Sequence, residues 1–349
     1  MTGTPIRLGV LDQAPISEGS SAADALRSSL DLAALADELG YARYWVAEHH
    51  ATPQLACGSP EILIAEIAHA TSSIRVGSGG VLLPYYSSLK VAETFGILSA
   101  LHPGRIDLAI GRGGGTDPAG QRALRRGHPP PGPEDFGDQL DELLGYLGGS
   151  PSGRGHDLLA GPAGGPDWPE IWLLGSSTQS AVLAAELGLP YAFGDFFTAH
   201  GPGFVEVYRE RFKPSPRCPE PYVMVGAMVM CAETDEEAER LVTSRYMAMS
   251  LLEAGRQVPL PPVETALRYV AEHPADPENL LGRRGAVGSP ATVREELERL
   301  VTAYGADELL AVTLVYDHDA RRRSYQLLAE AFELEQPARA PRLDPAAAG

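Results

Sequence analysis

Short apolar runs alternate with longer amphipathic stretches along most of the chain. Ile6 to Asp12 (IRLGVLD) is brief, apolar and rich in branched side chains, which predicts a strand. Ala22 to Leu39 follows, with Leu26, Leu30, Ala33 and Ala34 at helical spacing and Gly40 as a stop able to take positive φ. The same couplet recurs. Further strands are predicted at Tyr41–Ala47, Ile74–Gly80, Arg105–Gly111, Ile171–Leu174, Tyr191–Phe193, Tyr222–Cys231 and Leu309–Tyr316. Helices are predicted from Ser59-Pro60 onward and at Ser88–Leu101, Glu134–Leu147, Thr178–Leu187, Gly203–Phe212, Asp235–Leu252, Pro290–Tyr304 and Ala320–Leu334. Strand after strand followed by helix implies an α/β fold with a parallel sheet, and eight such units imply a (β/α)8 TIM barrel. An open doubly wound sheet is the alternative if about one or two strands are miscounted.

Three stretches break the alternation. Gly113–Pro133 and Gly148–Pro169 are dense in Gly and Pro and predict long insertions. Gly255–Gly288 is Pro-rich and aperiodic except over Val263–Glu272. The expectation is one barrel domain over residues 1–335 and a loose tail over 336–349.

Charge narrows the function. Lys+Arg is 28 against Asp+Glu 46, a net charge of −18, which argues against a nucleic-acid or anionic-membrane surface. The chain carries no apolar run of membrane-spanning length and no signal-like N-terminus. Its three cysteines (Cys57, Cys218, Cys231) form no Cys-x-x-Cys pair, so a cytoplasmic location is expected. Lys90 and Lys213 are the two lysines, neither follows a glycine, and a Walker A loop is therefore excluded.

In such a barrel the chemistry lies where strands end, so the residues after each strand carry the candidates. The second strand leads into Glu48-His49-His50, the third ends in Gly79-Gly80, the fourth leads into Gly111-Arg112-Gly113, and the fifth into Gly175-Ser176-Ser177-Thr178. Histidine titrates near neutrality and suits acid–base work. Neighbouring histidines on a strand end diverge, so they make a poor metal pair, and no metal is expected. A Gly-Ser-Ser-Thr turn before a helix offers free N–H groups and hydroxyls to a phosphate, or is simply an N-cap. Arg112 is a bidentate phosphate partner or an ordinary loop arginine. The paired glycines suggest backbone packed against something flat, or a strained peptide.

These residues resemble the bacterial luciferase-like family of flavin-dependent monooxygenases. The matching stretches are LGVLDQAP (Leu8 to Pro15), LGYARYWVAEHH (Leu39 to His50), IRVGSGGVLLP (Ile74 to Pro84), HPGRIDLAIGRGGG (His102 to Gly115), LLGSSTQSAVLAAELGLPYAF (Leu173 to Phe193) and DELLAVTLVYDHDARRRSYQLLA (Asp307 to Ala329). The resemblance implies a barrel binding FMN, as reduced FMNH2, at its C-terminal mouth. It implies that Gly79-Gly80 form a non-prolyl cis peptide under the flavin, and that Arg112, Ser176 and Ser177 hold the phosphate. It makes His49 the candidate acid/base, with Glu48 orienting a histidine or contacting backbone. Bacterial luciferase has a Glu where this chain has Gly175, so Thr178 or Gln179 would take up a phosphate contact. The implied reaction is two-component oxygenation of a small organic substrate by O2 through a C4a-(hydro)peroxyflavin, with a separate flavin reductase as transient partner. A homodimer through the helices after the second and third strands is expected, and a lid over residues 255–288. F420-dependent hydride transfer and a non-catalytic flavin-binding relative are the alternatives.

Overall fold

The computed structural model describes residues 6–113, 117–127, 133–148, 168–197, 201–273 and 285–336. The strands are β1 (Arg7–Asp12), β2 (Arg43–Val46), β3 (Arg75–Leu82), β4 (Ile106–Gly111), β5 (Glu170–Leu174), β6 (Tyr191–Gly194), β7 (Val223–Cys231), β8 (Ala286–Gly288) and β9 (Glu308–Val312). The helices are α1 (Ala22–Leu39), α2 (Pro60–Ala70), α3 (Ser88–Leu101), α4 (Pro118–Leu124), α5 (Pro133–Tyr146), α6 (Thr178–Leu187), α7 (Gly201–Arg211), α8 (Asp235–Glu253), α9 (Val263–Glu272), α10 (Pro290–Tyr304) and α11 (His318–Ala331).

β1 to β7 pair in chain order, all parallel, and β9 closes the ring between β7 and β1. The result is a closed eight-stranded (β/α)8 barrel. β8 is an addition: β9 pairs with Met224–Met228 of β7, and β8 pairs with the remaining Val229–Cys231. Its three residues are too short to show a period, so the sequence pattern passes over it. α4 likewise stands inside the first Gly/Pro stretch, started by Asp117, whose side chain accepts from the Gly120 N–H. Residues 149–167 and 274–284, within the other two irregular stretches, and 337–349 of the expected tail lie outside the described residues.

Local signals set the helix bounds. Ser21 and Asp24 form a reciprocal capping box on α1, and Gly40 ends it at φ 84°. Side chains alternate across each strand. Those pointing outward (Val10, Tyr44, Val76, Leu108, Val225) join the helices in the main core. Those pointing inward (Leu11, Trp45, Ala109, Trp172, Met224, Leu310) fill the barrel.

The N-terminal end of the barrel holds buried charge. Arg43 donates Nε to Glu308 Oε2 at 2.7 Å, Nη2 to Glu308 Oε1 at 3.0 Å and Nη1 to Asp107 Oδ2 at 2.7 Å. Asp107 also accepts from Trp45 Nε1 at 2.8 Å and from Arg75 Nε at 2.8 Å, and Tyr222 donates to Glu308 at 2.6 Å. The guanidinium of Arg43 stacks over Trp172 at 4.8 Å. Its two carboxylates hold its pKa above the usual arginine range, against the opposing effect of burial. With this end filled, open space remains at the other.

Candidate active site

A cavity of about 440 Å³ opens at the C-terminal ends of the strands. Its floor is apolar, formed by Leu11, Leu174, Ala192, Phe196 and Leu310. Its polar groups come from four consecutive strands: Glu48 and His49 after β2, Gly79 and Gly80 in β3, Arg112 after β4, and Gly175, Ser176 and Ser177 after β5. Parallel pairing makes this arc, because every strand delivers its C-terminal end to one face.

Glu48 is buried and makes three bonds. Its Oε2 accepts from the Leu82 N–H at 3.0 Å, and its Oε1 meets Tyr86 Oη at 2.7 Å and His50 Nε2 at 2.7 Å. The carboxylate therefore ties the end of β2 to the end of β3 and turns His50 away from its neighbour. His50 also stands edge-on to Tyr85, with ring centroids 6.3 Å apart. Among the described residues, His49 Nδ1 is buried with no hydrogen-bond partner. Burial pushes the His49 pKa down to about 4, with Glu48 opposing and His50 adding to the fall. At neutral pH the ring is uncharged and faces the cavity with one nitrogen unused.

The Gly79–Gly80 peptide bond is cis. A Cβ on Gly80 would lie 2.5 Å from the Ala109 carbonyl oxygen, so only glycine fits this approach of β3 to β4. The β3–β4 register shifts between Gly79 and Val81 at the same point.

On the β4–β5 side the groups suit an anion. Arg112 is exposed and bonds through Nη1 to the Gln179 side-chain oxygen. Ser177 is the N-cap of α6: its side chain accepts from the Ser180 N–H, and Ser180 returns a bond to the Ser177 backbone. Ser176, Ser177, Gln179 and Ser180, at the start of α6, line this side of the cavity, where a helix N-terminus favours an anion. A Cβ on Gly175 would lie 2.2 Å from Ser180 Oγ, so glycine here lets the turn close on the cap. Tyr191 Oη fixes the Gly175 carbonyl at 2.7 Å.

Of the strand-end residues singled out from the sequence, Glu48, His49, Gly79, Gly80, Gly111, Arg112, Gly113, Gly175, Ser176 and Ser177 line this one cavity; His50 is outside the lining, as is Thr178, exposed at the first position of α6. Gln179 and Ser180 line it instead. Sequence reasoning passed over Ser180, whose signal is the Ser-x-x-Ser spacing from Ser177, a weak form of the capping box. It also passed over Tyr86 as a Glu48 partner. No group of three or more metal-ligating side chains occurs among the described residues. No helix among them is long and apolar enough to cross a membrane.

The donor set fits a flat cofactor with an anionic tail: an apolar floor, bare backbone at Gly79-Gly80, an orphaned ring nitrogen at His49, and a guanidinium beside a helix N-terminus. Comparison with known proteins supplies the family and the shared fold. The family model described as luciferase-like monooxygenase matches residues 6–308. A luciferase-like monooxygenase of Escherichia coli is 39% identical over 95% of this chain and 99% of its own. The N-acetyl-S-alkylcysteine monooxygenase of Bacillus subtilis is 36% identical over 93% of this chain and 98% of its own. The crystal structure of apo-MsnO8 superposes with a TM-score of 0.88 at 43% identity, covering 95% of this chain and 100% of that one. The FMN-bound oxygenating constituent of 3,6-diketocamphane monooxygenase from Pseudomonas putida gives 0.70 at 25% identity, covering 96% and 100%. An F420-dependent secondary alcohol dehydrogenase shares the fold alone, with a TM-score of 0.65 at 16% identity over 93% and 99%. By site geometry and by these likenesses, the chain belongs to the luciferase-like monooxygenase family and is an enzyme of that kind.

Proposed function

We propose that the chain is the oxygenating component of an FMN-dependent two-component monooxygenase, taking reduced FMN from a separate flavin reductase and oxygenating a small organic substrate with O2. The carrying observation is the continuous arc from His49 through Gly79-Gly80 to Arg112 and the α6 N-terminus around one apolar-floored cavity. The FMN-bound neighbour described as an oxygenating constituent supports both the cofactor and the separate reductase.

Arg112 and the α6 N-terminus would take the FMN phosphate, with Gln179 yielding or sharing its bond to Arg112. Ser176 would add its hydroxyl, whereas the Ser177 hydroxyl is engaged in capping α6 and positions the turn. The Gly79-Gly80 backbone would lie against the ring. When bound, the reduced flavin supplies two electrons, so that one oxygen atom of O2 reaches the substrate and the other leaves as water. The floor of Leu11, Leu174 and Phe196 excludes water from that chemistry. His49, uncharged and unpartnered at Nδ1, can take or hold a proton at that atom. Glu48 is a positioning residue, since its oxygens are occupied by Leu82, Tyr86 and His50.

A homodimer through α2 and α3 accords with Ile62 (66% exposed) on α2 and Leu101 (68% exposed) on α3.

The test is oxygen uptake after mixing the protein with reduced FMN and, separately, with reduced F420. FMN-dependent uptake, with oxygenation lowered about 100-fold by His49→Asn, supports the reading. Binding of F420 without FMN would make it a hydride-transfer enzyme instead. Undiminished turnover in His49→Asn would remove the acid–base role.

A further inference from the structure

The polar side chains of the cavity differ in how far they are already engaged. Among the described lining residues, Glu48, Arg112, Gln179, Ser177 and Ser180 hydrogen-bond through their side chains. The side chains of His49, Ser176 and Gln13 make no hydrogen bond to a described residue. His49 is assigned to proton handling and Ser176 to the phosphate, which leaves Gln13 without a role.

Gln13 continues the inward row of β1. Leu8 and Val10 point out to the main core, Leu11 points into the barrel, and Asp12 points out to Arg321 and Tyr44. Alternation turns the next residue inward again, and Gln13 lines the cavity together with Leu11. Both of its neighbours are held. The Asp12 carboxylate accepts from the Ala14 N–H at 2.7 Å and from Tyr44 Oη at 2.6 Å, and the Ala14 carbonyl accepts from the Ala56 N–H at 2.9 Å. The inward positions just past β2 and β9 are apolar, Ala47 and Leu314. Gln13 is thus a half-buried amide set in an apolar wall on a fixed backbone. Water satisfies it while the mouth is open. A ligand that fills the mouth must return those hydrogen bonds or bind less tightly.

Charge selects the kind of group that can return them. Arg112 is the one cationic side chain among the described lining residues, and β4, which leads to it, lies three strands from β1. The Glu48 carboxylate stands at the end of the adjacent strand, β2. An anion beside Gln13 would meet that carboxylate and no counter-ion. A neutral amide can give its N–H to the Gln13 oxygen and accept from the Gln13 NH2.

We propose that Gln13 is a specificity-determining residue that binds a neutral carboxamide carried by the substrate, on the β1 wall of the cavity. Its place beside a flavin rests on the oxygenase reading, but the amide preference does not.

The test is calorimetric titration of the FMN-loaded protein with octanamide and octanoate. Native protein should bind octanamide about tenfold or more tightly than octanoate, and Gln13→Leu should lose about tenfold in octanamide affinity with FMN affinity unchanged. Gln13→Glu keeps the shape but loses the donor; it should weaken octanamide too, and it decides the matter if Gln13→Leu fails to fold. Octanamide affinity untouched by both variants overturns the proposal. So does octanoate binding native protein as tightly as octanamide. A fall in FMN affinity with octanamide unaffected would make Gln13 a contact to the flavin ring and overturns it as well. Titration repeated without FMN separates the two readings. A protein that binds no FMN yet keeps a Gln13-dependent amide preference loses the flavin reading alone, and one that binds FMN without that preference loses this inference alone.

Discussion

The two ends of the barrel use polar groups in opposite ways. At the N-terminal end, Arg43 gives its Nε, Nη1 and Nη2 to Glu308 and Asp107, and those carboxylates accept further bonds from Tyr222, Trp45 and Arg75. At the C-terminal end, among the described residues, His49 Nδ1 is buried without a partner, and the exposed Arg112 bonds the Gln179 side chain. A satisfied buried network fixes one arrangement of side chains. An unsatisfied group costs stability unless a ligand completes it. The strands thus carry structure at one end and reserve bonding capacity at the other.

That contrast breaks most visibly at Arg43. Arg43→Met removes the buried cation between Asp107 and Glu308 and leaves them only the more exposed Arg75 and Arg7, so a loss of about 3 kcal/mol in unfolding free energy, the low end for a broken buried pair, is expected from denaturant titration. A loss near zero would mean that this end is no more tightly built than the mouth.

The next effect is a pH dependence at the mouth. The folded His49 pKa, about 4, lies below the ordinary histidine value, so the unfolded chain takes up its proton first as pH falls. The contribution of His49 to stability is steady above about pH 6.5, falls as pH drops toward 4, and levels off below that. Between about pH 7 and about pH 5 the loss should be about 2 kcal/mol. His49→Asn should flatten this part of the profile, and an unchanged slope in that variant would show that the ring is not held neutral. A smaller change sharpens the β5 side: Ser177→Ala removes the α6 cap and should cost about 1 kcal/mol, read from the urea midpoint.

The fold was legible because parallel strands buried on both faces read as continuous apolar runs, as in YVMVGAMVMC of β7. The site was legible because the barrel sends each strand end to one face, so Glu48-His49, Gly79-Gly80, Arg112 and Gly175 to Ser177 needed only the strand order to meet. What stayed hidden depends on partners distant in sequence. Arg43 reads as one polar residue within the run YARYWVA until Glu308, on the last strand, is beside it. Tyr86 joins Glu48 only once β2 and β3 lie together. Thr178 and Ser180 differ by which side of the first turn of α6 they occupy, a distinction the GSST pattern does not carry.

The central claim, that this mouth grips a flavin by its phosphorylated tail, is tested most directly by comparing FMN with riboflavin, which lacks the phosphate, in the native protein and in Arg112→Ala. Fluorescence titration should show native protein favouring FMN by about 100-fold and Arg112→Ala losing most of that margin, with riboflavin affinity and folding stability nearly unchanged. Equal affinity for the two flavins in the native protein, or an FMN preference untouched by Arg112→Ala, would contradict the account.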